Sequence, residues 1–167
     1  MLSESARAAS AAEARFRIND ANSRPRAIKV IALDRASEKV VKSLAKSNWH
    51  AATFLTLQGS PRRGESFSVK AWLADLAGDT KDLLDEIGSA DQVVMIATAG
   101  EDSEAASIIG EACSLKRVMT TGLVICAQRT SDEALSQTLS QLRPWALMLV
   151  IASAEDYIAD MLIALRA

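Results

Sequence analysis

Three carboxylates lie within four residues in the loop that follows the apolar run QVVMIATA. They are Glu101, Asp102 and Glu104, and Gly100 and Ser103 complete the segment. If the run is a strand of a parallel sheet, this loop lies where such sheets hold nucleotide phosphates. Carboxylates repel a phosphate, and a single glycine gives it little access to backbone amides. The residue types in this loop therefore disfavour phosphate binding.

Polar residues follow other apolar runs as well, and a parallel sheet would gather them along one rim. We predict a ligand-binding rim formed by Asp34, Arg35, Thr98, Gly100, Glu101, Asp102, Ser103, Arg129 and Thr130. Such a rim is the default ligand site of an open α/β sheet. Helix capping is the competing interpretation, because Ser37, Asp102 or Ser103, and Ser131 are all residue types that favour N-caps. Both interpretations stay open at this point.

No catalytic residue or metal site is assigned. Asp34, Glu101 and Asp102 carry the oxygen ligands that Mg²⁺ prefers, but no further ligand is fixed. The single histidine, His50, has no serine, cysteine or aspartate partner in a recognisable catalytic arrangement. The cofactor, if there is one, is therefore unknown.

Two other pairs of residues invite a functional interpretation. Cys113 and Cys126 lack metal-ligand spacing, so we interpret them as buried free thiols. Arg62 and Arg63 stand in a loop rich in glycine and proline, where a solvated loop is favoured over an anion site.

Strand-like and helix-like patterns alternate about five times from residue 27 onward, which predicts an α/β fold. Strands are expected over residues 27–33, 51–57, 92–99, 118–126 and 146–152. Helices are expected over residues 38–48, with Ser37 as N-cap, and over 79–87, 102–115, 132–142 and 155–165. The alternation favours a three-layer α/β/α sandwich with a mostly parallel, doubly wound (Rossmann-like) sheet of five or six strands.

Apolar spacing identifies the buried faces of three of these helices. In the first, the spacing selects Val40, Val41, Leu44 and Ala45. In the third, it selects a face that runs from Ala105 to Leu115. In the last, Ile158, Met161, Leu162 and Leu165 recur at helical spacing, and Ile163 extends the arc. A face this wide suggests either burial against the sheet or a helix shared with a second subunit.

Length and composition predict one domain with a short appendage. The chain has 167 residues, of which 49% are apolar and only 4% aromatic, as expected where helices cover both faces of a sheet. Residues 1–25 are predicted to form an N-terminal helical appendage and linker, because their apolar face is mostly alanine. Residues 26–167 are predicted to form a single Rossmann-like domain.

The charge balance argues against a nucleic-acid partner. The formal net charge is −2 and the pI is about 5.5, so no overall field attracts polyanions or an anionic membrane. No apolar run approaches the length of a membrane span, and charged residues interrupt the N-terminus where a signal peptide would be apolar. These features predict a cytoplasmic protein that engages neither nucleic acid nor membrane.

Taken in order, the apolar segments resemble a known family. IKVIAL, ATFLTL, ADQVVMIATAG, GLVICAQ, and WALMLVIAS with EDYIADML resemble the nucleotide-binding half of the tubulin/FtsZ GTPases. In that family an IKVIGVG strand opens the domain, and an ADMVFI-AG strand leads to a GGGTGTG phosphate loop. Here residues 33–37 replace the first glycine cluster and residues 100–103 replace the signature loop, so only Ala99 and Gly100 match beside it. The resemblance therefore implies a degenerate relative without GTPase activity.

These observations favour a non-catalytic interaction or ligand-sensing module. The C-terminal apolar face and the frequency of homodimers favour a homo-oligomer. A different protein partner or a small-molecule ligand is a further possibility that the sequence leaves open. The alternative is a nucleotide- or metal-dependent enzyme that uses the rim at the carboxyl ends of the strands.

The boundary near residue 25 can be tested by truncation. Removal of residues 1–24 should leave a cooperative thermal transition, because the apolar pattern that builds the sheet begins only at residue 27. Circular dichroism with light scattering measures this outcome. A truncated chain that aggregates, or that melts without cooperativity, would show that the segment belongs to the core.

Overall fold

The computed structural model describes residues 25–57, 73–77, 79–127, 130–153 and 155–167. Most of the predicted appendage, the loop that contains Arg62 and Arg63, and the rim residue Arg129 lie outside these residues. Seven strands are described: β1 (Ile28–Ala32), β2 (Ala52–Leu57), β3 (Leu73–Asp75), β4 (Thr80–Lys81), β5 (Gln92–Thr98), β6 (Met119–Ile125) and β7 (Met148–Ala152). They form one sheet in the order β4-β3-β2-β1-β5-β6-β7.

Five of these strands are parallel and form the predicted doubly wound sheet. β1 pairs with β2 on one side and with β5 on the other, and β6 and β7 follow in parallel. Two short strands, β3 and β4, extend the sheet beyond β2 in antiparallel fashion. The predicted α/β fold is confirmed. The two short strands raise the total above the expected five or six, because they are too short to leave an alternating pattern in the sequence.

Five described helices cover the sheet: α1 (Arg35–Leu44), α2 (Leu83–Gly88), α3 (Ala105–Lys116), α4 (Asp132–Leu142) and α5 (Glu155–Ala164). Residues of α1 and α5 share a buried cluster on one face of the sheet. Residues of α2, α3 and α4 share the cluster on the other face. This arrangement is the three-layer sandwich that the sequence predicts.

The central strands are apolar on both faces because both faces are covered. In β5, Val94 and Ile96 belong to the α1/α5 cluster, whereas Val93 and Met95 belong to the α2–α4 cluster. All four side chains are fully buried. A continuous apolar run is the pattern expected of a strand in this position.

One charged side chain in the central strand β1 is accommodated by an ion pair. The Nζ of Lys29 lies 2.7 Å from a carboxylate oxygen of Glu86 on α2 and donates a hydrogen bond to Thr53 on β2 at 3.2 Å. The two charged side chains are only 12% and 21% exposed. Pairing is what makes a charge tolerable at such a position.

One glycine permits close packing between α3 and the start of β7. A Cβ atom on Gly110 would lie 2.5 Å from the Cβ of Trp145, which is closer than such atoms approach. Trp145 therefore packs directly against the helix backbone.

Several predicted helix starts are wrong. Asp34, not Ser37, is the N-cap of α1, and Ser37 is the buried third residue of its capping box. α2 begins at Leu83 with Asp82 as N-cap, because Asp79 precedes the short strand β4. α3 begins at Ala105, so neither Asp102 nor Ser103 caps it. At the starts of α1 and α2 two cap-forming residues stand close together and only one of them is used, whereas α3 has no side-chain cap.

The remaining helices agree better with their patterns. Ser131 caps α4 as predicted, and its hydroxyl accepts a hydrogen bond from the amide of Ala134. Val40, Val41 and Leu44 are buried in α1 as predicted. The prediction that Leu115 belongs to the buried face of α3 is wrong, since this side chain is 75% exposed in the last turn, one residue before the helix ends.

The C-terminal helix buries its central residues within its own chain. Ile158 and Leu162 are 0% exposed and lie in the α1/α5 cluster, and Met161 and Leu165 pack against them. Ile163 is exposed, so the predicted arc is narrower than expected. None of the described helices is long and apolar enough to cross a membrane.

This burial generates a test of the fold. Leu162→Asp should unfold the domain, because it places an unpaired carboxylate among apolar side chains at a cost of several kcal/mol. Ile163→Asp is the matched control and should leave the melting temperature unchanged, since Ile163 is 64% exposed. Thermal circular dichroism compares the two. A folded Leu162→Asp variant with the wild-type melting temperature would contradict the packing described here.

Candidate functional site

The candidate site lies where β1 and β5 end side by side. The chain leaves β1 for α1 on one face of the sheet and leaves β5 for α3 on the opposite face. The order of the parallel strands, β2-β1-β5-β6-β7, is that of flavodoxin-like doubly wound folds. In such sheets this switch point opens a crevice that binds ligands.

The carboxylate of Asp34 occupies the centre of this switch point. Its Oδ1 accepts hydrogen bonds from the amides of Ala36 at 2.9 Å and Ser37 at 2.8 Å, which are the free amides of the first turn of α1. Its Oδ2 accepts a hydrogen bond from the amide of Thr98 at 2.7 Å. One side chain therefore caps α1 and joins the ends of two central strands.

Ser37 completes the local network from the other direction. Its hydroxyl donates to the carbonyl of Asp34 at 2.9 Å and accepts from the amide of Asp34 at 3.2 Å. Because Ser37 is fully buried, this reciprocal pair is shielded from water. The turn between β1 and α1 is thus satisfied internally.

The loop after β5 is held by side chains of α4. The amide of Gly100 donates to Oγ1 of Thr138 at 2.9 Å. The amide of Ser103 donates to Oε1 of Gln141 at 3.1 Å, and the Ser103 hydroxyl donates to the same oxygen at 2.6 Å. Gly100 has a φ of 90°, a left-handed conformation that favours glycine. The loop amides thus point at neighbouring parts of the chain.

Two further amides of this loop are used locally. The amide of Glu101 donates to the carbonyl of Thr98 at 3.0 Å, and the amide of Glu104 donates to Oδ1 of Asp102 at 3.0 Å. A phosphate loop needs several amides free to face the ligand. Four amides of this loop already have partners within the chain.

A cavity of about 520 Å³ lies beside these loops. Its lining comprises Ala32, Leu33, Asp34, Arg35, Glu38, Leu57, Glu101 and Asp102. Its charged side chains are four carboxylates and one guanidinium, and one of these carboxylates, Glu38, also pairs with Lys42 at 3.5 Å. Within the described residues, no group of three His, Cys, Asp or Glu side chains is placed to hold a metal ion.

The structure brings together only part of the predicted rim. Asp34, Arg35, Glu101 and Asp102 line the cavity. Thr98 lies beside Asp34, and its Oγ1 is buried without a hydrogen-bond partner in the described structure.

The other members of the rim have separate surroundings. Gly100 and Ser103 are bonded to α4, and Ser103 is buried. Thr130 follows β6, where its amide donates to the carbonyl of Ala127. Arg129 is outside the described residues.

Sequence reasoning missed four residues that shape the site. Glu38 and Leu57 line the cavity, and Thr138 and Gln141 bond the loop after β5. The only available signal for the last two was their position on the inner side of α4. A polar residue on the inner side of a helix needs a partner, but the sequence does not name that partner.

The two cysteines have different surroundings. Burial raises the pKa of the Cys113 thiol to about 12, so it stays protonated and unreactive at neutral pH. Cys126 is half-buried, so the expectation that both thiols are buried holds for Cys113 alone. His50 is exposed near the chain's C-terminal residue, and its amide donates to the carbonyl of Ala167. None of these residues lines the switch-point cavity.

Two other cavities lie away from the switch point. One of about 430 Å³ lies between the end of α3 and the starts of β6 and β7, and its lining includes Met119, Trp145 and Leu147. The other, of about 350 Å³, lies beside Trp49, Ile163 and Arg166. Both have mainly apolar linings.

No protein-family model matches this chain, and no curated protein sequence matches it. Among solved structures, it is similar to the apo form of a flavoprotein from Lactobacillus acidophilus NCFM, solved by NMR. The TM-score is 0.48 at 5% identity, over 82% of this chain and 99% of that one. It is also similar to the apo form of translation elongation factor SelB from Methanococcus maripaludis. There the TM-score is 0.46 at 10% identity, over 83% of this chain and 36% of that one. Neither likeness adds support to the tubulin/FtsZ resemblance.

The role of Asp34 can be measured as stability. Asp34→Ala should lower the free energy of unfolding by roughly 2–4 kcal/mol, because it removes an N-cap and a charge-assisted bond to a central strand. Asp102→Ala is the matched control and should cost a small fraction of that, since Asp102 is exposed and bonds only a loop amide in the described structure. Urea titration compares the two. Equal losses would show that Asp34 is an ordinary surface cap.

Proposed function

We propose that this chain is a non-catalytic interaction or ligand-sensing module built on a nucleotide-binding type of fold that has lost phosphate binding. The observation that carries the proposal is the Asp34 carboxylate, which accepts hydrogen bonds from three switch-point amides. In phosphate-binding α/β proteins, the amides at the start of such a helix donate to the ligand. Here a side-chain anion takes the place of the phosphate.

The loop after β5 supports the same proposal. The amides of Gly100 and Ser103 are taken by Thr138 and Gln141, so this loop also offers little to a second anion. A nucleotide- or metal-dependent enzyme at this rim would need the donors and ligands that these contacts occupy. The contacts therefore favour the non-catalytic alternative.

The cavity beside the switch point supports a ligand-sensing role. Its volume of about 520 Å³ lies within the range of small-molecule sites. Because its charged lining is mainly Asp34, Glu38, Glu101 and Asp102, the expected ligand is neutral or cationic.

The proposal extends to origin and location. Kinship with the tubulin/FtsZ domain is supported by the strand sequences at residues 28–33 and 90–100. A cytoplasmic location is supported by the free thiols of Cys113 and Cys126, which a reducing compartment preserves.

The loss of phosphate binding is tested by nucleotide titration. The purified protein should neither bind GTP tightly nor hydrolyse it, with or without Mg²⁺, because the amides that would hold the phosphates already have acceptors. A thermal-shift assay gives a sensitive readout, since a ligand at about one hundred times its Kd stabilises a fold by about 2.7 kcal/mol. ATP and FMN serve as further probes.

A blocking variant separates specific from adventitious binding. Arg35 is exposed and lines the cavity, so Arg35→Trp should obstruct the cavity without disturbing the core. Micromolar or tighter GTP binding that is lost in this variant would contradict the proposal. Weak binding that the variant leaves unchanged would place the nucleotide elsewhere on the surface and leave the proposal standing.

A further inference from the structure

Within the described part of the chain, β7 forms an edge of the sheet that lacks the usual protection. Among the described strands, β7 pairs only with β6, so its outer side presents unpaired backbone groups. The sequence from Pro144 to Ala154 contains no charged residue. The opposite edge, β4, is only two residues long and carries Lys81. Proteins commonly protect edge strands by shortness and by charge, and β7 has neither.

Apolar side chains are exposed on both faces of this edge strand. Ile151 is 49% exposed on the face covered by α2–α4, and Met148 is also exposed on the face covered by α1 and α5. Leu147, just before the strand, is 80% exposed. We call these three residues together with the outer backbone of β7 the β7 edge. An exposed apolar edge of this kind favours pairing with another strand.

We infer that a second copy of this chain pairs with the β7 edge in antiparallel fashion, about a two-fold axis through Val150. This inference rests on the proposed interaction role and names its partner. Val150 is the middle residue of the five in β7, so an axis there pairs the whole strand. It sets Ile151 opposite Leu149 of the second copy and Met148 opposite Ala152. Apolar residues then meet on both faces.

Charge complementarity favours a second copy over an unrelated peptide. α4 packs on β6, the neighbour of β7, and has exposed Asp132 and Glu133 in its first turn and exposed Arg143 at its C-cap. A two-fold axis normal to the sheet places the two α4 helices on the same face in opposite directions. The basic end of each helix then lies toward the acidic end of the other. The helix dipoles are also favourably opposed.

Sedimentation velocity with edge variants tests the inference. The wild-type chain should show a concentration-dependent monomer–dimer equilibrium. Ile151→Lys should weaken the dimer at least about tenfold, because it places a charge on the paired edge. Ile163→Lys, on the exposed side of α5, is the matched control and should leave the dimer constant unchanged. Circular dichroism checks that both variants are folded, and Met148→Lys replaces Ile151→Lys if the latter unfolds.

A charge exchange tests the antiparallel direction. Arg143→Glu should weaken the dimer, and addition of Glu133→Arg should restore it, because the exchanged charges meet only between copies that run in opposite directions. A structural effect on α4 alone would not be rescued by the second change.

A cysteine placed on the proposed axis tests the register independently of affinity. Residues directly opposite each other on antiparallel strands have Cβ atoms close enough for a disulfide. In a Cys126→Ser background, Val150→Cys should cross-link to a covalent dimer on mild oxidation, whereas Ile163→Cys should not. The Cys126→Ser change removes the half-buried native thiol from the assay.

Three outcomes would overturn the inference. They are a wild-type chain that stays monomeric at millimolar concentration, a dimer that Ile163→Lys disrupts and Ile151→Lys does not, and a dimer that Val150→Cys fails to cross-link. None of these outcomes changes the result of the nucleotide titration. The two experiments therefore distinguish an error in the proposed β7-edge interface from an error in the proposed loss of phosphate binding.

Discussion

The hydrogen bonds accepted by the Asp34 carboxylate constrain the centre of this molecule. At the switch point two parallel strands end together, and their chains leave for opposite faces of the sheet. Amides at such ends have no partner in the sheet or the helix, and leaving them unpaired is costly. Asp34 satisfies three of them and so fixes the end of β1, the start of α1 and the end of β5. These three amides therefore already have an acceptor within the chain.

Side chains of α4 accept hydrogen bonds from the backbone amides of the loop after β5, as Asp34 does at the switch point. Thr138 is fully buried on the inner side of this helix, and Gln141 is half-buried near it. Their oxygens accept from Gly100 and Ser103, so the helix and the loop satisfy each other. The β7 edge lies on the far side of β6 from this loop, so the proposed association there would leave these hydrogen bonds in place.

Particular residues show how far sequence reasoning reached. The strands at residues 28–32 and 92–98 are found almost at their predicted bounds, because each is mostly apolar and is covered by helices on both faces. Ser131 was assigned correctly as the cap of α4, and its hydroxyl accepts a hydrogen bond from the amide of Ala134. At the start of α1, by contrast, Asp34 and Ser37 are both suitable caps. Asp34 is the cap in the structure, and its carboxylate also accepts a hydrogen bond from the amide of Thr98, 64 residues away in the sequence.

The sequence by itself determined the α/β class, the alternation of the parallel strands and the apolar faces of most helices, because these depend on local periodicity and on burial. It also placed three carboxylates, those of Glu101, Asp102 and Glu104, in the loop after β5. Only the tertiary structure decided that Asp34 acts as an internal anion, that Thr138 and Gln141 close the loop, and that β7 ends the described sheet as an unprotected edge. Each of these depends on which groups meet across the fold. Hydrogen-bond partners and strand neighbours are set by topology, and a linear pattern does not carry that information.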